Sequence, residues 1–381
     1  MKKIGIVTIL KVNNYGAELQ AYATQEFLKS MGYEAEIIDY LFYKNPQHKR
    51  TRLSKPLFAF PLKKRVAEFV YPLLSDLRNI SNGKTLARRK NRFENFHRLN
   101  TSMSPTYRSI DELYDAEMDY DVYLTGSDQV WNPGIYTSIA PYFLDFAPKG
   151  CRRVAYAASF GVSQIPSDAI PYYKKFLSTY DAIGVREKNG VDLVKDISDK
   201  KAQWVLDPTL LLTKDEWLKV ASPVEIPKEY ILLYELTPCP YIRQLAEHVC
   251  KERNLSVVRV CKDANKEDKD DAILNITDAG PAEFLYLFVN ASMVITNSFH
   301  GTAFSINFQR PFYTVLPKRK QNNSRQRSLL ELVDLTDRLL VEDSPFPNAE
   351  KWEVDYNKAT ILLEQERTKS TQFLKNAIDG E

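Results

Sequence analysis

The sequence predicts a two-domain α/β protein in which parallel sheets are layered with helices. Short apolar runs alternate with segments whose apolar residues recur at helical spacing, which is typical of successive βαβ units. At 381 residues the chain is too long for one ordinary hydrophobic core, which favours two domains. A hydrophobic content of 44% and a charged content of 27% indicate a globular chain and exclude a disordered or fibrous one.

The opening βαβ unit sets the pattern for the rest of the chain. An apolar run at 3–10 predicts a strand, residues 17–32 predict a helix that stops at Gly32, and residues 33–40 predict the next strand. Because such crossovers are right-handed, the sheet should be parallel. Further strands are predicted at 120–126, 152–159, 181–186, 202–207, 230–236, 256–261, 293–298 and 311–317. Further helices are predicted at 241–254, 281–292, 300–309 and 356–377.

Turn-forming residues cluster near 165–178 and predict the domain boundary there. The expected organisation is an N-terminal Rossmann-like domain at 1–170, a C-terminal Rossmann-like domain at 171–355 and a C-terminal helix at 356–381. A basic segment at 44–98 is expected to be a helical insertion in the N-terminal domain.

The net charge of +3 hides an asymmetry along the chain. Residues 44–98 contain 15 Lys and Arg against three acids, a net charge of +12 for this segment alone. Apolar and aromatic residues run through it, which suits an anionic membrane surface or a phosphate-rich ligand. The alternative is a solvated helical insertion. No nucleic-acid-binding motif accompanies the charge, so no nucleic-acid partner is expected.

The chain has no run of about 18 apolar residues that would span a bilayer, and its first apolar run lacks a signal-peptide cleavage pattern. The four cysteines form no CxxC pair, which predicts free thiols and no zinc site. We therefore expect a cytoplasmic protein, with peripheral attachment at the inner face of the membrane as a hypothesis. We expect neither a metal nor another cofactor.

Polar loops follow several predicted strands, where ligands bind in doubly wound sheets. Each loop alone is also explained by turn chemistry or helix capping. Together, the strand ends present Asn13, Asn14, Ser127, Asp128, Arg186, Asp207, Ser298 and His300.

One of only four histidines, His300, falls in the first turn of a predicted helix after the strand at 293–298. A helix N-terminus attracts phosphate or carboxylate through its N–H groups and its dipole. The alternative is a histidine that caps the helix or packs under a loop.

Six short segments of the sequence, most of them at predicted strand ends, resemble the polysaccharide pyruvyl transferase family. The matching elements are NNYGAELQAYA (13–23), TGSDQVWNP (125–133), SFG (159–161), REK (186–188), VLDPT (205–209) and NSFHG (297–301), in family order. The resemblance extends from about residue 5 to about residue 315 and includes neither the basic segment nor the C-terminal tail.

The resemblance implies a fold similar to that of GT-B glycosyltransferases, in which two Rossmann-like halves face a cleft. It also implies transfer of pyruvate from phosphoenolpyruvate to two hydroxyls of a sugar, giving a cyclic ketal and phosphate. The acceptor would be a surface polysaccharide or its lipid-linked precursor.

The chemistry assigns candidate roles to the strand-end residues. Phosphoenolpyruvate carries a carboxylate and a phosphate, and Arg186 offers a bidentate guanidinium for such groups. His300 is the candidate to protonate the methylene or to assist the departing phosphate. Asp128 is a candidate base for a sugar hydroxyl and Asp207 a weaker one, with loop capping and helix capping as the respective alternatives.

The sequence departs from the family pattern two residues before His300. Members often have an arginine there, whereas this chain has Ser298. The basic run at 318–327, which includes Arg325, is a candidate replacement. The departure keeps two alternatives open: a nucleotide-sugar glycosyltransferase on the same fold, and a non-catalytic relative that binds a glycan or phosphate.

Overall fold

The structure, a computed structural model, describes residues 1–49, 51, 83–135, 139–262, 272–318 and 324–380. The chain divides into two compact units. The first unit comprises Met1–Gly83, His97–Leu211 and Glu366–Glu381, and the second comprises Lys84–Phe96 and Leu212–Gln365.

The first unit contains a parallel sheet of six strands in the order β2-β1-β3-β4-β5-β6. The strands are β1 (Lys3–Val7), β2 (Glu34–Ile37), β3 (Val122–Thr125), β4 (Arg152–Ala158), β5 (Ala182–Val185) and β6 (Ala202–Trp204). The central strands are buried almost throughout, which explains their nearly continuous apolar sequence. In the centre of the sheet Ile4 pairs with Val122 and Leu124 with Val154.

Helices connect these strands. The helices that begin at residues of the first unit are α1 (Tyr15–Ser30), α2 (Gly83–Asn100), α3 (Ile110–Tyr114), α4 (Ile170–Leu177) and α5 (Lys188–Ile197). The side chain of Asn14 accepts hydrogen bonds from the backbone of Gly16 and Ala17 and so caps α1. This cap fixes where the loop after β1 ends and the helix begins.

The second unit contains another parallel sheet of six strands, in the order β12-β11-β10-β7-β8-β9. The strands are β7 (Tyr230–Tyr234), β8 (Ser256–Val260), β9 (Ile273–Ile276), β10 (Met293–Thr296), β11 (Phe312–Leu316) and β12 (Leu339–Val341). Its helices are α6 (Lys214–Leu218), α7 (Pro240–Arg253), α8 (Pro281–Asn290), α9 (Phe299–Asn307) and α10 (Ser324–Leu332). This strand order is that of the Rossmann fold.

The last helix, α11 (Asn357–Asp379), belongs to both units, since its residues up to Gln365 group with the second unit and those from Glu366 with the first. The expected separate C-terminal segment is therefore not a domain of its own. No helix in the described ranges is long and apolar enough to cross a membrane.

The predicted α/β class and the ten predicted strands are confirmed, whereas β9 and β12 were not predicted. The domain boundary expected near residue 170 is wrong, because the first unit continues to Leu211. The stretch at 165–178 instead contains α4 and is part of the β4–α4–β5 connection of one sheet.

Most of the basic segment, residues 50 and 52–82, lies outside the described residues. Its end forms α2, which is helical as expected, and Lys84–Phe96 of this helix group with the second unit.

Candidate functional site

In the first sheet the connections diverge between β1 and β3, where open α/β sheets bind ligands. The loops after these two strands contact each other. Thr8 donates a hydrogen bond from Oγ1 to the backbone oxygen of Ser127 at 2.8 Å, and Gln20 of α1 donates to the same hydroxyl at 2.8 Å. The predicted residues Asn13, Asn14, Ser127 and Asp128 therefore follow the two strands that flank this point.

Arg186 lies at the end of β5, and its side chain is completely shielded from solvent. Its Nη1 atom donates to Asp207 Oδ2 at 2.8 Å and to Ser127 Oγ at 3.4 Å. Its Nη2 atom lies 3.6 Å from Asp128 Oδ1. Burial lowers the pKa of the guanidinium, but Asp207, Asp128 and Glu187 outweigh that effect and raise the pKa above its usual value.

The two aspartates of this cluster have different surroundings. Asp207 is fully shielded, and its Oδ1 atom accepts from the backbone and hydroxyl of Thr209, which caps the short turn Pro208–Leu210. Asp128 retains 17% of its side-chain exposure and has a left-handed backbone, with φ at 75°. Asp128 is therefore the better placed of the two to meet a ligand, and the capping alternative for Asp207 is confirmed.

Glu18 organises the loop after β1 from within α1. Its carboxylate accepts hydrogen bonds from the backbone of Lys11 at 3.3 Å and Val12 at 3.1 Å, and it lies 2.7 Å from His97 Nε2. Asn13, next in this loop, is exposed and has a left-handed φ of 53°.

In the second sheet the connections diverge between β7 and β10. The carboxamide of Asn297 bridges the loops after these strands, because Oδ1 accepts from Leu236 N at 2.8 Å and Nδ2 donates to Thr237 O at 2.6 Å. Ser298 then caps α9 by accepting from Gly301 N at 3.3 Å. This loop leads directly into the first turn of α9.

His300 is the second residue of α9 and is 7% exposed, with its ring edge-on to Phe299 at 5.3 Å. The glycine that follows it has a steric cause, since a Cβ atom on Gly301 would overlap the side chain of Thr296. The hydroxyl of Thr296 donates to Tyr234 O at 2.6 Å and accepts from Ser298 N at 3.0 Å. The expected placement of His300 at a helix N-terminus is confirmed.

An ion pair near the same end of this sheet, with both side chains largely shielded, was not predicted. Glu235, directly after β7, lies 3.6 Å from Arg259 of β8 and accepts a hydrogen bond from Cys239 N at 3.0 Å. The sequence predicts that Glu235 and Arg259 belong to two different strands. Their side chains meet because β7 pairs with β8.

Arg325 lies half-buried in the first turn of α10, while residues 319–323 of the basic run fall outside the described residues. The neighbouring Gln326 donates to Asn297 O at 3.3 Å. The start of α10 therefore lies beside the loop that leads to His300.

The predicted site residues divide between the two units. Ser127, Asp128, Arg186 and Asp207 form one cluster in the first unit, with Asn13 and Asn14 on the adjacent loop, whereas Ser298, His300 and Arg325 belong to the second. Arg186 was expected in the same domain as His300, and this is wrong because β5 belongs to the first sheet. Its internal ion pairs also leave its guanidinium shielded from any ligand.

The cysteines and the possible metal ligands contribute no further residue to these sites within the described part of the chain. All four cysteines are free, as predicted. Among the described residues no group of His, Cys, Asp and Glu side chains has the arrangement of a metal site.

The sequence of the chain matches a known protein family over most of its length. The family model described as polysaccharide pyruvyl transferase matches residues 14–318. None of the curated proteins compared with the chain matches it.

Solved structures resemble the chain over nearly its whole length. A Listeria monocytogenes protein described as a UDP-N-acetylglucosamine 2-epimerase is 11% identical with a TM-score of 0.50, over 97% of this chain and 90% of that one. Another UDP-N-acetylglucosamine 2-epimerase is 9% identical with a TM-score of 0.53, over 100% of this chain and 97% of that one. At such identities the likeness shows the fold alone, which is of the GT-B type, as expected.

Proposed function

Because this chain belongs to the polysaccharide pyruvyl transferase family, we propose that it transfers the pyruvyl group of phosphoenolpyruvate to two hydroxyls of a sugar. The products are a cyclic ketal and inorganic phosphate. The acceptor is a sugar of a surface polysaccharide or of its lipid-linked precursor.

The observation that carries this proposal is the first turn of α9. Ser298 caps the helix, His300 follows two residues later, and both lie where the connections of the second sheet diverge. The N–H groups and dipole of a helix start favour an anion, and a carboxylate or phosphate of phosphoenolpyruvate supplies one. We assign the donor to this turn.

The reaction forms two C–O bonds and breaks one. The oxygen of a sugar hydroxyl bonds to C2 of phosphoenolpyruvate as the C=C π bond breaks. The proton of this hydroxyl passes to a base, and the methylene gains a proton and becomes a methyl group. A second hydroxyl then bonds to the same carbon as the bond to phosphate breaks, and its proton leaves with phosphate. His300 is the proposed proton donor to the methylene or to the departing phosphate.

Asp128 is the proposed base for an acceptor hydroxyl. Its partial exposure supports this role, whereas the complete shielding of Asp207 does not. Arg186 acts through Asp128 and Asp207 rather than on the donor, so we withdraw it from the donor site. Arg325 remains the candidate cation of the second unit, beside the loop that contains Asn297 and Ser298.

A phosphate-release assay tests the function. The protein is incubated with phosphoenolpyruvate and a panel of lipid-linked and nucleotide-linked sugars, and phosphate is measured together with the mass of the product. We expect phosphate release that depends on the sugar, with the product heavier by one pyruvyl ketal. Glycosyl transfer without phosphate release would instead indicate a glycosyltransferase, and phosphoenolpyruvate binding without turnover a non-catalytic relative.

The basic segment gives a second, separate proposal: a transient contact with an anionic membrane that carries the acceptor. Each Lys or Arg near such a surface contributes about 1 kcal/mol. Arg88 and Arg92 of α2 pair instead with Asp278, at 3.0 and 3.2 Å, so any attachment depends on other cations of the segment.

Sedimentation with anionic and with neutral vesicles tests the membrane contact at low and high salt. We expect the protein to sediment with anionic vesicles at low salt only. Equal recovery in both supernatants at low salt would contradict the contact and leave a structural insertion.

A further inference from the structure

Glu187, the residue after Arg186, binds the loop that follows β4. Its Oε1 atom accepts hydrogen bonds from Ser159 Oγ at 2.9 Å, Phe160 N at 2.9 Å and Gly161 N at 3.3 Å. The residue is only 1% exposed. A carboxylate that accepts three bonds in a shielded place makes strong charge-assisted contacts, so it fixes the SFG loop (159–161) to the end of β5.

The SFG loop in turn contacts the loop that contains Asp128. Ser159 N donates to Asp128 O at 3.0 Å, and Trp131 N donates to Ser159 O at 3.1 Å. Gly161 has a left-handed φ of 63°, and a Cβ atom there would overlap the side chains of Gln129 and Asn132. The two loops are therefore packed so closely that a displacement of one displaces the other.

Arg186 also contacts the loop that contains Asp128. Its guanidinium donates to Ser127 Oγ and lies near the Asp128 carboxylate. Asp128 itself has a left-handed backbone, and its Oδ1 atom accepts from the adjacent Gln129 N at 2.8 Å. Such a conformation persists in a non-glycine residue only when the surroundings define it.

We propose that Glu187 is a positioning residue: through the SFG loop it holds the backbone of Asp128 so that the carboxylate faces the acceptor hydroxyl. This inference rests on the proposed function, in which Asp128 is the base. Glu187 touches no substrate. Its effect should therefore fall on the acceptor half of the reaction and leave phosphoenolpyruvate binding in the second unit unchanged.

The test compares Glu187→Ala, Glu187→Gln and a control, Glu112→Ala. Glu112 also accepts a backbone N–H, from Arg108 at 2.7 Å in the same unit, but it belongs to α3 and not to the loops around Asp128. Glutamine keeps an acceptor oxygen and should restore part of the function that alanine loses. Hydrogen exchange of residues 127–132 and 158–162 is measured beside kcat, the KM for each substrate and the pH profile of kcat.

We expect Glu187→Ala to accelerate exchange in both loops and to lower kcat by about 10- to 100-fold, the effect of a misplaced reacting group. The limb of the pH profile that reports the base should shift, and the KM for phosphoenolpyruvate should not change. Glu187→Gln should fall between Glu187→Ala and wild type, and Glu112→Ala should match wild type.

Unchanged exchange at 127–132 in Glu187→Ala would overturn the proposal, and so would faster exchange with unchanged kcat and pH profile. If Glu187→Ala does not fold, Ser159→Ala, which removes one of the three contacts, gives the same comparison in a weaker form. If the wild-type protein never consumes phosphoenolpyruvate, the proposed function is refuted but the role of Glu187 is not. Hydrogen exchange of residues 127–132 and 158–162 in Glu187→Ala then decides whether Glu187 positions Asp128.

Discussion

The two sheets fix their strand-end loops with different chemistry. In the first unit, acidic and basic side chains hold most of the loops: Arg186 contacts those after β3 and β6, Glu187 that after β4, and Glu18 that after β1, beside the neutral bond from Thr8 to Ser127. In the second unit, neutral groups connect the ends of β7 and β10, through the amide of Asn297 and the hydroxyl of Thr296, and one ion pair, Glu235–Arg259, joins the loop after β7 to β8.

The two kinds of contact differ in the free energy of unfolding that is lost when one partner is removed. A buried charge that loses its partner destabilises a protein by several kcal/mol, whereas a neutral hydrogen bond contributes about 1 kcal/mol. Substitution of Arg186 should therefore act mainly through the stability of the first unit. Substitution of the neutral groups that connect β7 and β10 should act mainly through ligand binding and turnover.

The largest effect is expected from Arg186→Ala. It leaves Asp207 buried without its ion pair and should lower the stability of the first unit by about 3–5 kcal/mol. Hydrogen exchange in β3–β6 measures this separately from the second unit. Arg88→Ala, which removes an exposed arginine from its pair with Asp278, is the control and should cost about 1 kcal/mol or less. Equal, small effects of the two changes would contradict the comparison.

An intermediate effect is expected from Asn297→Ala. The change leaves Leu236 N and Thr237 O without their side-chain partner, which should cost about 1–3 kcal/mol. Exchange should accelerate in the loops after β7 and β10, and the KM for phosphoenolpyruvate should rise. Asn290→Ala, which removes a single bond to Tyr286 O at the exposed end of α8, serves as the matched control. Faster exchange confined to the first unit would be evidence that Asn297 does not hold the loops after β7 and β10.

Of the three substitutions, His300→Ala should lower the stability least at neutral pH, and it should abolish turnover. The helix needs no imidazole to form, so we expect a change of about 1 kcal/mol in the free energy of unfolding. Phosphate release should be lost. His248→Ala is the control in the same unit, because His248 stacks on Phe346 along α7, away from the strand ends. Near-wild-type turnover in His300→Ala would return the residue to a packing role.

Near neutral pH, the buried tyrosines contribute no pH dependence, and their effect appears only in alkali. Burial raises the pKa of Tyr123 to about 12 and the pKa values of Tyr142, Tyr156 and Tyr173 well above the usual value. The unfolded chain releases these protons near pH 10, so the stability they contribute is present below about pH 10 and is lost as the pH rises toward 12. Thermal unfolding at about pH 9 and pH 11 measures the loss, and an equal melting temperature at both would contradict it.

The sequence predicted the strands and the positions of the strand-end loops because both depend on local pattern. Apolar runs mark strands that are buried on both faces, and the polar residues after them mark the edge where ligands bind. β12 was missed since it has only three residues and is partly exposed. Most of β9 is also only half-buried.

The sequence could not predict which charged residues pair across the fold. Arg186 and Asp207 meet because β5 lies beside β6, and Arg259 meets Glu235 because β8 lies beside β7. Strand order is a long-range property, and no local signal specifies it. The same limitation placed Arg186 in the wrong unit and the domain boundary about forty residues too early.

The left-handed backbone of Asp128 has a consequence for protein engineering. Glycine adopts this conformation without steric cost, and asparagine is also enriched there, so a redesign guided by backbone conformation alone would favour either residue at position 128. Both would remove the carboxylate beside Arg186. Position 128 is thus one where the backbone and the proposed chemistry favour different residues, and a thermostabilised variant should retain the aspartate.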